Sequence, residues 1–164
     1  MRIAIISDTH LPRRARRLPV AHLRDADAIL HAGDFSTVAV LDELTALGPP
    51  VVAVHGNVDE RALRERLPER TAFDAGGTRI GLVHDAGPAH GRVARLRAAF
   101  PDCAAVVFGH SHIPLHERDA DSGFQIFNPG SPTDRRRQPE HTMGFAEVRD
   151  GAVRFTHVVV RSAG

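Results

Sequence analysis

An α/β fold with a largely parallel sheet is predicted by three observations. Short apolar runs rich in β-branched residues recur along the chain, helical patterns lie between them, and each run ends in His or Gly or, for the first, in Ser7-Asp8. Runs that are apolar on both faces belong to strands covered on both sides, as parallel strands flanked by helices are. At 164 residues, 42% hydrophobic and 25% charged, with no repeat or low-complexity stretch, the chain suits one compact domain over 1–164.

The elements follow in order. Ile3–Ile6 runs into Ser7-Asp8-Thr9-His10. A short helix around Val20–Ala26 leads to Asp27–Leu30, which enters His31-Ala32-Gly33-Asp34. Thr37–Leu47 reads as a helix with Val40, Leu41, Leu44 and Leu47 inward. Val51–Val54 enters His55-Gly56-Asn57-Val58-Asp59, and Asp59 through Leu67 reads as a helix with an acidic N-cap, which suits its dipole. Arg70–Asp74 and Thr78–Val83 flank Gly76-Gly77, a hairpin signal, and the second run ends at His84-Asp85. His90–Phe100 carries Val93, Leu96, Ala99 and Phe100 as an apolar stripe. Ala105–Phe108 enters Gly109-His110-Ser111-His112. The last third is strand-rich, with Leu115–Arg118, Gly123–Phe127, Met143–Arg149 and Ala152–Val160, and turns at Asn128-Pro129-Gly130-Ser131 and Asp150-Gly151. That late antiparallel block is expected to build much of a second sheet.

Polar groups just past the carboxyl ends of such strands converge on one crevice. Asp8, His10, Asp34, Asn57, His84, His110 and His112 all stand there, and imidazole with carboxylate suits Mn, Fe, Co, Ni or Zn. Asp-x-His and His-x-His on extended backbone would align each pair on one face. Gly33 lets the chain turn so that Asp34 points into the site, where its two oxygens can bridge two ions. Asn57 is neutral, so two divalent ions would face only Asp8 and Asp34, leaving positive charge for an anionic ester. Asp59 is set apart as a helix cap or as a support for Asn57.

These motifs and their order resemble the calcineurin-like metallophosphoesterases, most closely the small phosphodiesterase branch from bacteria and archaea. The resemblance runs from Arg2 to about Val160. It implies a four-layer α-β-β-α sandwich, two packed mixed β-sheets flanked by helices, with a dinuclear centre at the strand ends. One metal would be held by Asp8, His10, Asp34 and His112, the second by Asp34, Asn57, His84 and His110, with Asp34 bridging. Mn or Ni is the expected metal pair, with Fe, Co, Zn or Mg as alternatives. A metal-bridging hydroxide would attack phosphorus in line, with Asn57, His84 and His110 in catalytic roles and His110 or His84 supporting the departing oxygen. Larger relatives carry His directly after the Asn; Val58 stands there in this chain, which implies slower turnover of alkyl esters. A phosphomonoesterase or nucleotidase on the same site is the enzymatic alternative. A scaffold of the same fold, like the retromer subunit, is the other.

Several residues keep two readings. Asp85 supports a ligand imidazole or caps its turn. The Asn128–Ser131 loop seals the edge of the site, or Ser131 meets substrate. His31 and His55 are core or supporting groups, while His22, His90, His116, His141 and His157 are surface or helix residues. Cys103 is alone, reads as a small core residue, and suits a reducing cytoplasm. No leader or membrane-spanning stretch is expected. Every basic residue apart from histidine is arginine, and net charge is +1, so the chain as a whole is no polyanion binder. Arg13, Arg14, Arg16 and Arg17, and Arg135, Arg136 and Arg137, form solvated loops or a rim that clamps phosphate. The expected partner is a phosphate-ester small molecule or nucleotide. With no Trp or Tyr, stacking on single-stranded nucleic acid has no support.

Overall fold

The apolar runs seen in the sequence become ten strands and four helices in a computed structural model, which describes residues 1–12 and 16–161. In order they are β1 (Arg2–Ile6), α1 (Val20–Arg24), β2 (Ala28–His31), α2 (Val38–Thr45), β3 (Val51–Ala53), α3 (Arg61–Arg66) and β4 (Arg70–Asp74). There follow β5 (Arg79–Val83), α4 (Arg92–Ala99), β6 (Ala105–Val107), β7 (Leu115–Arg118), β8 (Gln125–Asn128), β9 (Thr142–Arg149) and β10 (Ala152–Val159). Arg13 and Arg14 of the first arginine cluster lie outside the described residues.

Two five-stranded sheets result, ordered β10-β9-β1-β2-β3 and β4-β5-β6-β8-β7. Both are mixed, as the resemblance implies, and neither is the largely parallel sheet that the apolar runs alone suggest. β1, β2 and β3 run parallel, as do β5, β6 and β8, while β9, β10, β4 and β7 are antiparallel to their neighbours. The late strands also divide. β7 and β8 finish the second sheet, but β9 pairs with β1 (Ile3 opposite Ala146) and carries β10 into the first.

The period of two along the strands explains the layers. Ile3 and Ile5 of β1 pack between the sheets with Leu30, Ile80, Leu82, Val107, Phe127 and Val148. Ala4 and Ile6 face the other way, under Leu23, Val40, Leu44 and Leu63 of α1, α2 and α3. On the far side, Leu96 and Phe100 cover Val106 and Ile126 of the second sheet. The order is helices, sheet, sheet, helix: a four-layer sandwich. Each fully buried Ile, Leu or Phe contributes about 1.5–3 kcal/mol by leaving water. Two helical expectations change in detail. Ala99 is exposed, because Leu96 and Phe100 already fill the inward face of α4, and Leu41 and Leu47 are only half-buried. Asp59 does not cap α3, since Glu60 takes the N-cap position and turns its carboxylate to the Val38 amide at the start of α2, 2.7 Å away. Among the described residues no helix is long and apolar enough to cross a membrane.

Candidate metal centre

Loops leaving the ends of β1, β2, β3, β5 and β6 meet between the two sheets. The loops after β1 and β2 are zipped together by Asp8 N to Gly33 O (2.9 Å), His10 N to Asp34 O (3.0 Å) and Leu11 N to Phe35 O (3.1 Å). Five of the seven predicted ligands, Asp8, His10, Asp34, His110 and His112, have positive φ of 46–67°. The two i, i+2 pairs therefore do not share a face through extended backbone, as the sequence reading had it. Left-handed turns aim them instead. Asp and His tolerate this region better than most residues, at about 1–3 kcal/mol each, and such strain gathers where function needs it.

Two loops reach the centre only because they begin with glycine. A Cβ on Gly56 would stand 2.0 Å from Asp34 Oδ1, and one on Gly109 2.0 Å from Ser7 Oγ.

The first group of donors is buried. His112 Nε2 lies 3.4 Å from Asp8 Oδ1 and 3.1 Å from His10 Nε2, and His10 Nε2 lies 3.8 Å from Asp34 Oδ2. Asp8, His10 and His112 each offer an atom within 4.8 Å of the others. The His112 Nδ1–H donates to the Asp134 carbonyl, which turns the lone pair of Nε2 inward. Asp8 Oδ2 accepts from the His110 amide, but Asp8 Oδ1 is buried with no hydrogen-bond partner. Burial pushes the Asp8 carboxyl up, despite the nearby His84 and His112, and lowers His10 to about 4. An orphaned carboxylate oxygen beside facing imidazole nitrogens fits a divalent cation, which these atoms would share.

The second group opens to solvent. His84 is buried, with Nδ1–H donating to Ala32 O (2.7 Å) and Nε2 directed at Asp34 Oδ2 (3.3 Å) and Asn57 Oδ1 (3.0 Å). His110 Nδ1 lies 3.0 Å from the same Asn57 oxygen, and both His110 and Asn57 are exposed. Burial disfavours the charged His84 ring, but its hydrogen bond to Asp34 and the fields of Asp8 and Asp34 outweigh this and raise it to about 9. For Asp34, burial is outweighed by the hydrogen bond and charge of His84 and by the Val58 amide, which hold the carboxyl at about 2. This corner stabilises positive charge strongly, as a cation site must.

The supports are polar groups, among them Asp59 and the 128–131 loop that the sequence marks for such a role. The buried Asp59 carboxylate accepts from Gly56 N (2.7 Å), Ser36 N (2.8 Å) and Asp34 N (3.1 Å), tying the Asp34 loop to the Asn57 loop. Asn128 Nδ2 donates to Gly109 O (2.9 Å) and Ser111 Oγ (3.1 Å), bracing the loop of His110 and His112. Ser131 Oγ donates to Asp8 O and Thr133 Oγ1 to Thr9 O. Ser131 is buried, and its hydroxyl braces the Asp8 loop. Only the turn chemistry of residues 128–131 hinted at this; the Ala32 and Asp134 carbonyls left no mark in the sequence.

The remaining predicted groups fall outside the donor set. His31 is buried, accepts from Gly33 N at Nδ1, donates to Thr9 Oγ1 and stacks on Phe35. Half-buried His55 contacts its own loop at Gly56 O. Asp85 caps its turn through Gly87 N. His157 is not a surface residue: it stacks on Phe127 and donates to Asn128 O (2.7 Å). Half-buried Cys103 packs beside α4 and β6. Arg16 donates to Val160 O, and Arg136 pairs with Asp134 at 3.2 Å, behind the residue whose carbonyl holds His112.

Comparison with known proteins gives consistent matches. The family profile described as the calcineurin-like phosphoesterase superfamily domain matches residues 1–151. A probable metallophosphoesterase of Methanothermobacter thermautotrophicus is 38% identical over 138 residues, which is 81% of this chain and 78% of that one. A phosphodiesterase of Methanocaldococcus jannaschii is 26% identical over 143 residues, covering 79% and 83%. The crystal structure of a Vps29 variant from Entamoeba histolytica shares the fold, with TM-score 0.76 and 23% identity over 98% of this chain and 100% of that one.

Proposed function

The chain belongs to the calcineurin-like phosphoesterase superfamily, and from that premise we propose that it is a dinuclear metal-dependent phosphodiesterase. The observation that carries this reading is the convergence of Asp8, His10, Asp34, His84 and His112 in one buried cluster around an unpartnered carboxylate oxygen. Asp8, His10 and His112 would hold one divalent ion with Asp34, and Asn57, His84 and His110 the second with Asp34 between the two. Mn or Ni suits this mixture of nitrogen and oxygen donors. When bound, the pair supplies Lewis acidity and lowers the pKa of water near phosphorus.

The chain's own residues divide the remaining work. The donor set contributes only two carboxylates, so an anionic ester is attracted rather than repelled. His84 is committed on both nitrogens, to Ala32 O and to Asp34 and Asn57. His110 is exposed at the mouth, and we assign it the hydrogen bond to the departing oxygen. Val58 donates its amide to Asp34 Oδ1 and offers no proton from its side chain, which favours esters whose alcohol leaves without strong protonation. The relative from M. jannaschii named as a phosphodiesterase supports diester over monoester chemistry.

The test is metal analysis joined to a substrate panel. Protein loaded with Mn²⁺ or Ni²⁺ should hydrolyse bis(p-nitrophenyl) phosphate faster than p-nitrophenyl phosphate. The opposite ranking would make it a monoesterase or nucleotidase, and fully loaded protein that leaves both esters intact would favour a scaffold.

A further inference from the structure

A second concave surface lies at the other end of the sandwich. It is a cleft of about 520 Å³ where the edge of one sheet meets the edge of the other, and its walls come from β7, β8, β9 and β10. Gln125 on its floor pairs with Ala105, the first residue of β6, and Glu147 on its wall pairs with Arg2, the first residue of β1. The cleft therefore opens where the parallel strands begin, whereas the metal centre sits where they end.

Three arginines on three different strands line it: Arg118 on β7, Arg149 on β9 and Arg154 on β10. All three are exposed, and among the described residues none pairs with a carboxylate. Elsewhere exposed arginines do find partners, as Arg61 with Glu65 and Arg97 with Asp119. Glu147 is the one acid in the lining; it stands opposite Arg154 in register but outside ion-pair distance. Like charges held on rigid strands around one cleft repel each other, and an anion with several oxygens relieves that repulsion through charge-assisted forked bonds.

Beside them lies a fixed flat ring. His116 is exposed, yet its Nε2 is bonded to Gln125 Oε1 (2.9 Å), and its ring meets Phe155 and Phe127 edge-on at 5.5 and 5.8 Å. Gln125 is held in turn by Val153 O. Arginines for phosphate, next to an exposed ring held in place, are the two halves of a nucleotide site.

We propose that this cleft binds a mononucleotide, its phosphates on Arg118, Arg149 and Arg154 and its base against His116. The probe is the α,β-methylene analogue of ADP, which resists hydrolysis, titrated into the full metal-loaded chain by calorimetry at physiological ionic strength. The metal centre also attracts phosphates, so the readout is the difference between wild type and an Arg118→Gln/Arg149→Gln/Arg154→Gln variant. Binding should weaken about tenfold or more in that variant, with diester hydrolysis and melting temperature unchanged. A single Arg118→Gln change should weaken it less, in the same direction. His116→Ala should weaken the analogue and leave pyrophosphate unaffected. Equal affinity in wild type and triple variant, or no saturable binding by wild type, overturns the proposal. Neither result bears on the phosphodiesterase reading, which stands or falls on hydrolysis at the other end of the molecule.

Discussion

The two halves of the metal centre differ more in exposure than in chemistry. Asp8, His10 and His112 form a floor exposed by 0–5%, backed by the Asp134 carbonyl and the His110 amide. Asn57 and His110 form a rim open to solvent, with only His84 buried behind them. Donors that protein has already desolvated and aimed hold a cation firmly, because little is lost in ordering them. Donors that share their positions with water hold it less firmly but leave room for substrate. On the dinuclear reading proposed above, the floor would suit a resident ion and the rim one that exchanges, with Asp34 proposed between them and Asp8 also within reach of His84.

That division can be broken first at its shared member. Asp34→Asn removes the carboxylate proposed to bridge the two ions, and activity on bis(p-nitrophenyl) phosphate should fall by roughly 10²–10³-fold. Metal content by mass spectrometry should drop below two ions per chain in the same variant. Undiminished activity would show that Asp34 does not bridge. Asp59→Asn comes next. It leaves the donors intact but replaces a carboxylate that accepts three amides from both loops. An amide has one acceptor oxygen, so at least one buried N–H faces another N–H, which costs about 1–3 kcal/mol of stability. Activity should fall about 10–100-fold, the usual range for a group that orients ligands. A fall confined to stability, with kcat kept, would reduce Asp59 to a loop staple.

How this centre could be read from sequence, and where the reading failed, follows from what each feature encodes. The strands and donors were visible because a short apolar run ending in Asp or His is local information. The aiming of the donors was not. Asp8 and His110 look like extended residues on paper, but their left-handed φ is imposed by amides and carbonyls from loops far away in sequence. Sheet membership failed for the same reason. Nothing inside Thr142–Arg149 says that it pairs with β1 rather than β8; beside β1, Gly144 leaves room for Phe127 of the other sheet, where a Cβ would stand 2.3 Å from its ring. Asp59 keeps two readings in the sequence because a carboxylate before a helix caps it by default, and only the folded loops offer it better amides, which decides for the supporting role.

One variant in each half separates the two ions. His110→Ala should lower the affinity for the weaker-bound ion about tenfold and leave the tighter ion in place, as read by stepwise chelation. His10→Ala should reverse the pattern, releasing the tight ion. Should the two variants lose the same ion, the floor and rim would be one site rather than two.

The smallest expected effect is a count of protons. His84 keeps its ring proton to about pH 9, because Asp34 and Asp8 outweigh the cost of burying the charge. His10 is lowered to about 4 by burial and is already neutral at pH 7. A cation entering the rim at pH 7 must therefore displace the His84 proton, whereas one entering the floor displaces none from His10. Calorimetry in buffers of different ionisation enthalpy should show about one proton released with the weaker ion. The sign follows directly: rim affinity should rise roughly tenfold per pH unit from 7 to 9 and then level off as the ring deprotonates unaided. Floor affinity should show no such rise from His10, since its titration is complete well below that range. No proton released with the weaker ion would place His84 in the wrong half, since a proton released with the tighter ion can come from Asp8, whose carboxyl burial pushes up.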